Sequence, residues 1–253
     1  DGYVINTNTP LEMGRDAHGP VEYMNGSLDD VRIYNRALNE AEIATLYNGY
    51  NSYSCVNWTG LLPALDPESA SAFDYLCSKK IIQSNQVPEH VNNNIRKDEL
   101  AKILFRGLFE PDTLAATPVD AAPNPFIDLQ PVNSAYVKEA KALSYLEYGD
   151  GISVFKREFT HFKPQFAILR KHVIKAMLET FNIKPFTSAN APTPTCWYDD
   201  VPSTDEMYYY ILKAREMGFI RQQISFNPNN PITRKEAFLI LYRILKYLEI
   251  NGR

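Results

Sequence analysis

Three pairs of an acidic and a basic residue recur along the C-terminal four-fifths of the chain. They are Asp66 with Lys97, Asp128 with Arg170 and Asp200 with Arg234, separated by 31, 42 and 34 positions. Each basic residue stands at the start of a predicted amphipathic helix. There a cation and the free backbone N–H groups of the first turn can together hold a carboxylate. The pattern therefore predicts a site that binds an anion.

Residues for catalysis or metal binding do not assemble in the sequence. The four histidines are dispersed, at His18, His90, His161 and His172. The three cysteines form no CxxC pair; they are Cys55, Cys77 and Cys196. We therefore expect no catalytic residue, no metal site and no cofactor, and predict that the protein is not an enzyme. The cysteines leave two alternatives open: one disulfide with a free thiol, in an oxidising compartment, or three thiols.

Composition restricts the partners of the protein. Its 253 residues include 26 Lys and Arg against 30 Asp and Glu, a formal net charge of −4. An acidic chain with scattered cations is not typical of a general binder of nucleic-acid phosphates. No apolar run reaches the roughly 18 to 20 residues that cross a bilayer. We expect no nucleic-acid partner and no insertion into a membrane.

The basic residues belong to three related segments of helix–loop–helix character. The second and third copies share four residue types in register: Phe162 with Phe226, Pro164 with Pro228, Ile168 with Ile232 and Arg170 with Arg234. The first copy is fainter and retains Ile95 and Lys97. In each copy the basic residue opens a helix whose apolar residues recur every three to four positions. Residues 60–250 are therefore predicted to form three helical units.

These units resemble S-layer homology (SLH) repeats. The third copy carries the clearest motifs, Asp200-Val201-Pro202, Gly218-Phe219-Ile220 and Ile232-Thr233-Arg234-Lys235-Glu236. The resemblance implies three repeats around a pseudo-threefold axis, with one helix of each in a central bundle. It also implies grooves between repeats that hold an acidic or pyruvylated cell-wall glycan. The repeats are assigned to residues 58–115, 122–184 and 195–250.

The resemblance implies a set of glycan-binding residues. It consists of Arg234, Arg170 and Lys97 for the acidic group, Asp200, Asp128 and Asp66 for the loop or the sugar hydroxyls, and Gly218 from the middle motif of the third repeat. We expect binding to depend on the two arginines more than on the lysine, because only Arg offers a planar fork to a carboxylate. The alternative is that Asp and Arg pair or cap the loop within one repeat and merely hold the turn.

Residues 1–50 differ in style from the rest of the chain. A tight turn at Asn25-Gly26, a strand at Val31–Tyr34 and a short helix at about 39–47 are expected. The run from Asn25 to Leu38 resembles the C-terminal end of a laminin-G-like (concanavalin-A-like) jelly-roll domain. The missing strands of that sandwich are expected upstream in the same polypeptide. The predicted fold class is mixed, with an N-terminal β part followed by a mainly α, pseudo-threefold, three-repeat SLH-like domain.

Both resemblances predict a non-enzymatic protein on the outside of a bacterial cell. As a fragment of a larger chain, it would be anchored through its repeats to an envelope polysaccharide or surface layer. One alternative is a structural or accessory subunit of a surface assembly, in which the repeats contact other surface proteins. A further alternative is an ancillary region of a secreted glycan-degrading enzyme.

Overall fold

The computed structural model describes residue 37 and residues 66–82, 91–109, 122–132, 134–146, 154–192, 198–221 and 223–252. The strands and helix predicted for residues 1–50 lie outside these ranges, apart from Ala37, as do the predicted repeat limits at residues 58, 115 and 195. The chain divides into two compact units, Asp1–Asn51 and Ser52–Arg253. All described residues except Ala37 belong to the second unit.

Within the described ranges the second unit is mainly helical. Its helices are α1 (Pro67–Ser78), α2 (Lys97–Leu108), α3 (Val137–Tyr145), α4 (Arg170–Thr180), α5 (Tyr208–Glu216) and α6 (Arg234–Ile250). The prediction that the three basic residues open helices is confirmed, because they are the first residues of α2, α4 and α6. No helix in the described part combines the length and apolar character needed to cross a bilayer.

Local sequence explains where two of the helices begin. Asp66 precedes α1, accepts a hydrogen bond from the Ser69 N–H at 3.1 Å, and is followed by proline at the first helical position. Before α6, Thr233 forms a capping box with Glu236. The Thr233 N–H donates to Glu236 Oε2 at 3.0 Å, and the Glu236 N–H donates to Thr233 Oγ1 at 3.3 Å. These caps satisfy N–H groups that a helix start leaves unpaired.

Along the chain the six helices of the described ranges follow one another as three successive pairs, α1–α2, α3–α4 and α5–α6. The second helix of each pair packs against the first helix of the next: α2 against α3, α4 against α5 and α6 against α1. In addition, α2 contacts α4 and α6. Burial of the apolar faces in one continuous core drives this packing. Its largest fully buried side chains include Phe73, Phe105, Phe162 and Phe219.

The segments that precede α2, α4 and α6 meet at one point. The N–H of Ile95 donates to the carbonyl of Ile232 at 2.9 Å, that of Ile232 to Ile168 at 3.3 Å, and that of Ile168 to Ile95 at 3.3 Å. The three hydrogen bonds form a closed cycle, and two of these side chains are completely buried. In the described ranges β-structure is limited to the antiparallel bridges around this point: Asn94 with Thr233, Arg96 with Ala167, and Leu169 with Pro231.

The N–H groups at the starts of α2, α4 and α6 form hydrogen bonds in the same cyclic order. The first two N–H groups of each of these helices donate to carbonyls of a neighbouring segment, over 2.9 to 3.2 Å. The acceptors are Phe166 and Pro164 for α2, Asn230 and Pro228 for α4, and Asn93 and Val91 for α6. These N–H groups are therefore already paired, and the expectation that they are free to hold a carboxylate is wrong.

Candidate functional site

Two of the predicted aspartates fix the loop that leads into the next helix. Asp128 accepts hydrogen bonds from the N–H groups of Phe162 and Lys163, at 2.6 and 2.7 Å. Asp200 accepts them from Phe226 and Asn227, at 2.7 and 2.6 Å. Lys163 and Asn227 have φ angles of +57° and +59°, a conformation that residues other than glycine seldom adopt. The carboxylates therefore stabilise a strained bend by charge-assisted hydrogen bonds.

Asp66 has a different position from the other two aspartates. Its carboxylate caps α1 through the N–H and the hydroxyl of Ser69, at 3.1 and 2.8 Å. These hydrogen bonds lower its pKa, the one from the Ser69 N–H most of all. In the third helix pair Asp205 also accepts a hydrogen bond from a backbone N–H, that of Met207, just before α5. The structure places Asp66 at a helix start and not at a loop.

Gly218 ends α5. Its φ is +72°, and its N–H donates to the carbonyl of Arg215 while that of Phe219 donates to Ala214. Glycine adopts this left-handed conformation without steric cost, as is common just after a helix. Gly218 therefore has a structural role, because it allows the backbone to turn at the end of α5.

Both predicted arginines are engaged in ion pairs between helix pairs. Arg234 donates from Nη2 to Glu99 Oε1 at 2.6 Å and from Nε to Oε2 at 3.2 Å. Arg170 donates from Nη2 to Glu236 Oε1. The arginine side chains are only 19% and 20% exposed. Burial alone would raise the pKa of Glu236, but hydrogen bonds from Arg170 and Thr233 outweigh it and hold the pKa below its ordinary value.

Lys97, the third predicted cation, has a different environment. Its ammonium lies 4.6 Å from the ring centre of Phe162 and 5.5 Å from that of Phe155. No carboxylate of the described residues comes within ion-pair distance of it. Burial lowers the pKa of Lys97, whereas the more distant Asp128 carboxylate opposes this. Lys97 is thus a partly desolvated cation whose charge is met by aromatic faces.

Lys97 lines a cavity of about 560 Å³. Four phenylalanines contribute to its wall: Phe155, Phe159, Phe162 and Phe166. Four lysines and one acid also line it: Lys97, Lys156, Lys163, Lys175 and Glu206. Two of the lysines have carboxylate partners, Lys156 with Glu158 at 3.3 Å and Lys175 with Glu179 at 3.7 Å. An apolar wall with a few convergent cations suits a ligand that carries both an apolar face and an anionic group.

A second cavity, of about 400 Å³, lies where α1, α2 and α6 end. Its charged groups are more fully occupied. Lys79 pairs with Glu249 at 3.2 Å, and Arg106 lies 3.7 Å from Glu139. The Nε and Nη1 atoms of Arg106 make no hydrogen bond, but they are buried and so out of reach of a ligand. This cavity is the weaker candidate for anion binding.

Charged groups hold α1 and α6 together. Glu68 accepts from Arg243 Nε at 2.7 Å and Nη2 at 2.8 Å, and from Arg221 Nη2 at 2.8 Å. The hydrogen bonds from Arg243 and then from Arg221 lower the pKa of Glu68 to about 2, against the effect of burial.

Among the described residues no three His, Cys, Asp or Glu side chains come together to hold a metal ion.

Cys77 is fully buried and disulfide-bonded. Its partner lies outside the described residues. Of the two alternatives open from the sequence, the structure selects the disulfide. Such a bond is typical of proteins in an oxidising compartment.

Some residues around the site were not predicted. The sequence predicted no role for Glu99, Glu236 or His172, nor for Phe155 or Phe162 beside the cavity. A signal was present, because glutamate follows the basic residue by two positions in the first and third copies and histidine does so in the second. The signal could not be interpreted without knowing which segments meet.

Comparisons with known proteins agree with both resemblances. Residues 1–44 match the family model for the concanavalin A-like lectin/glucanases superfamily, and residues 198–238 match the model for the S-layer homology domain. No curated protein matches the chain significantly. The predicted architecture, a laminin-G-like segment followed by an SLH segment, is thereby confirmed. SLH domains are characteristic of bacterial surface proteins and bind secondary cell-wall polymers, which indicates an envelope-associated protein.

Proposed function

We propose that the second unit is a pseudo-threefold domain of three SLH-like repeats that binds an anionic envelope glycan through the cavity at Lys97. It anchors a non-enzymatic protein, part of a longer chain, to the outside of a bacterial cell. The observation that carries the proposal is that Lys97 lines a cavity of about 560 Å³ and has no carboxylate partner among the described residues.

The cyclic contacts support the three-repeat arrangement. Equivalent isoleucines close a ring of hydrogen bonds, and each second helix packs on the first helix of the next pair. Three copies of one unit around an axis produce this order, because each copy then makes the same contact with its neighbour. The family match lies within the third copy and supports the same assignment for the two copies that repeat its contacts.

The chemistry of the cavity supports an acidic sugar as the ligand. A carboxylate can replace the missing partner of Lys97, and a charge-assisted bond of this kind is strong in a partly desolvated site. Phe159 and Phe166 are 60% and 65% exposed at the cavity, so an apolar ring face can cover them. The two arginines already have carboxylate partners. We therefore propose the reverse of the order expected from residue type, with Lys97 ahead of Arg170 and Arg234.

Co-sedimentation with purified acidic envelope polysaccharide tests the proposal. Lys97→Met removes the charge and keeps the length of the side chain. It should weaken binding about ten- to a hundredfold, the worth of one charge-assisted contact of about 1.5 to 3 kcal/mol. The control is Lys138→Met, an exposed lysine on α3 away from the cavity, which should bind like the unmodified protein. Failure of the unmodified protein to sediment with any such polysaccharide would sink the anchor function.

The exposed phenylalanines favour a second candidate function, contact with another surface protein. In that case Phe159→Ala and Phe166→Ala would abolish retention on cell envelopes stripped of polysaccharide, and Lys97→Met would leave it intact. Retention that disappears when the polysaccharide is removed would instead support the glycan. Both experiments use the same set of variants, so they separate the two functions directly.

A further inference from the structure

The domain contains three equivalent junctions between helix pairs. At each, the basic residue that opens a second helix faces the start of another second helix. We define the first junction by Lys97 and the start of α4, the second by Arg170 and the start of α6, and the third by Arg234 and the start of α2. The contacts from the three helix starts to neighbouring carbonyls follow the same order.

The third residue of the facing helix differs between the junctions. At the second and third junctions it is a glutamate, Glu236 or Glu99, which accepts from the arginine. At the first junction the corresponding residue is His172, which lines the same cavity as Lys97. The His172 ring is 41% exposed, with Nε2 3.6 Å from Glu206 Oε1. Among the residues that the structure describes, Lys97 therefore has no counterpart of the carboxylate that pairs with each of the two arginines.

The two glutamates occupy the place that a ligand carboxylate would take. Arg234 holds Glu99 through Nη2 and Nε, the forked geometry with which arginine binds free carboxylates. Each glutamate is also fixed from its own helix: Glu99 Oε2 accepts from the Arg96 N–H, and Glu236 Oε2 accepts from the Thr233 N–H, both at 3.0 Å. A carboxylate held in position competes at a far higher effective concentration than a ligand in solution.

We propose that the protein binds one anionic group per chain, at the first junction, and that Glu99 and Glu236 act as built-in occupants of the other two. The residue at position 172 is then the specificity determinant that leaves the first junction open. This inference rests on the proposed glycan function and adds to it the number and place of the sites. It also implies that the two closed junctions can be opened by a change of one atom in each glutamate.

The first test closes the open junction. His172→Glu restores the missing carboxylate opposite Lys97, and affinity for the acidic polysaccharide should fall at least tenfold. The matched control is His172→Gln, which has the same shape without the charge and should bind as the unmodified protein does. Circular dichroism and a melting curve for each variant establish that the fold is retained.

The second test opens a closed junction. Glu236→Gln keeps an acceptor for the capping box but removes the charge that holds Arg170, and Glu99→Gln does the same for Arg234. Isothermal titration with the shortest envelope-polysaccharide fragment that binds should give one site for the unmodified protein and two for each variant. The same fragment with its carboxyl groups reduced to alcohols should not bind. Two independent variants guard against a folding defect in either.

The outcomes separate this inference from the function on which it rests. An unmodified protein that binds no acidic fragment overturns both. Binding with one site, lost in His172→Glu and doubled in Glu236→Gln or Glu99→Gln, supports both. Binding with two or three sites in the unmodified protein, or binding that survives His172→Glu in a folded variant, overturns the single-site inference and leaves the anchor function standing.

Discussion

The first and third junctions have the same backbone and opposite chemistry. In both, a basic residue opens a helix and its N–H donates to a carbonyl of a neighbouring segment. At the third junction Arg234 is held by Glu99, whereas at the first Lys97 lies over Phe162 beside a cavity. A cation in a motif therefore does not by itself indicate a binding site. In the proposed site, the residue opposite decides whether the charge of the cation stabilises the protein or remains for a ligand.

The largest expected difference between the two junctions is in stability. Arg234→Met leaves the Glu99 carboxylate partly buried without its partner and should lower the free energy of unfolding by about 2 to 3 kcal/mol. Lys97→Met removes a cation that has been desolvated without an ion pair, so stability should stay the same or rise by up to about 1 kcal/mol. Urea unfolding of both variants measures this. An equal loss in Lys97→Met would show that Lys97 is a structural residue.

Ligand binding at the first junction should become weaker at alkaline pH. Because the pKa of Lys97 is lowered, its ammonium loses its proton before exposed lysines do. Affinity for the acidic polysaccharide should therefore fall between pH 7 and pH 10 by up to about tenfold, or 1.4 kcal/mol. The same shift acts on stability with the opposite sign, since the folded state binds fewer protons than the unfolded state and gains stability as pH rises through this range.

Lys97→Arg is the control for the alkaline effect. Arginine stays protonated throughout this range, so the affinity of that variant should not change with pH. A profile that is equally steep in Lys97→Arg would assign the pH dependence to another group. Lys102, on the same helix, is the group to examine next, because burial lowers its pKa to about 8.

Acid should act on a closed junction and produce a smaller effect. The pKa of Glu236 is held below its ordinary value of 4.5, so its pair with Arg170 contributes stability above that pH. The contribution is lost as pH falls through the lowered pKa of the folded state. The unmodified protein should therefore lose unfolding free energy between pH 7 and pH 3, and Glu236→Gln should make this loss smaller by a few tenths of a kcal/mol. Urea unfolding at the two pH values measures the loss. An unchanged difference would show that the pair contributes nothing to acid stability.

Much of the local structure was predictable from the sequence. The repeated Ile-x-Arg or Ile-x-Lys pattern identified the first residues of α2, α4 and α6, because a helix start depends on neighbours within one turn. The aspartates were expected to fix the loop or to bind sugar hydroxyls, and Asp128 and Asp200 form hydrogen bonds to the loops. Asp66 was grouped with them because it occupies a comparable place in a faint copy, yet it caps a helix.

The sequence by itself determined that three basic residues open three helices, and from them it predicted a site for an anion. Only the tertiary structure decided which of the three is available. The partner of Arg234 is 135 positions away and that of Arg170 is 66 positions away, in segments brought together when the ring of isoleucines closes. Ion pairing depends on distance in space and on desolvation, and both arise only when the three helix pairs are assembled.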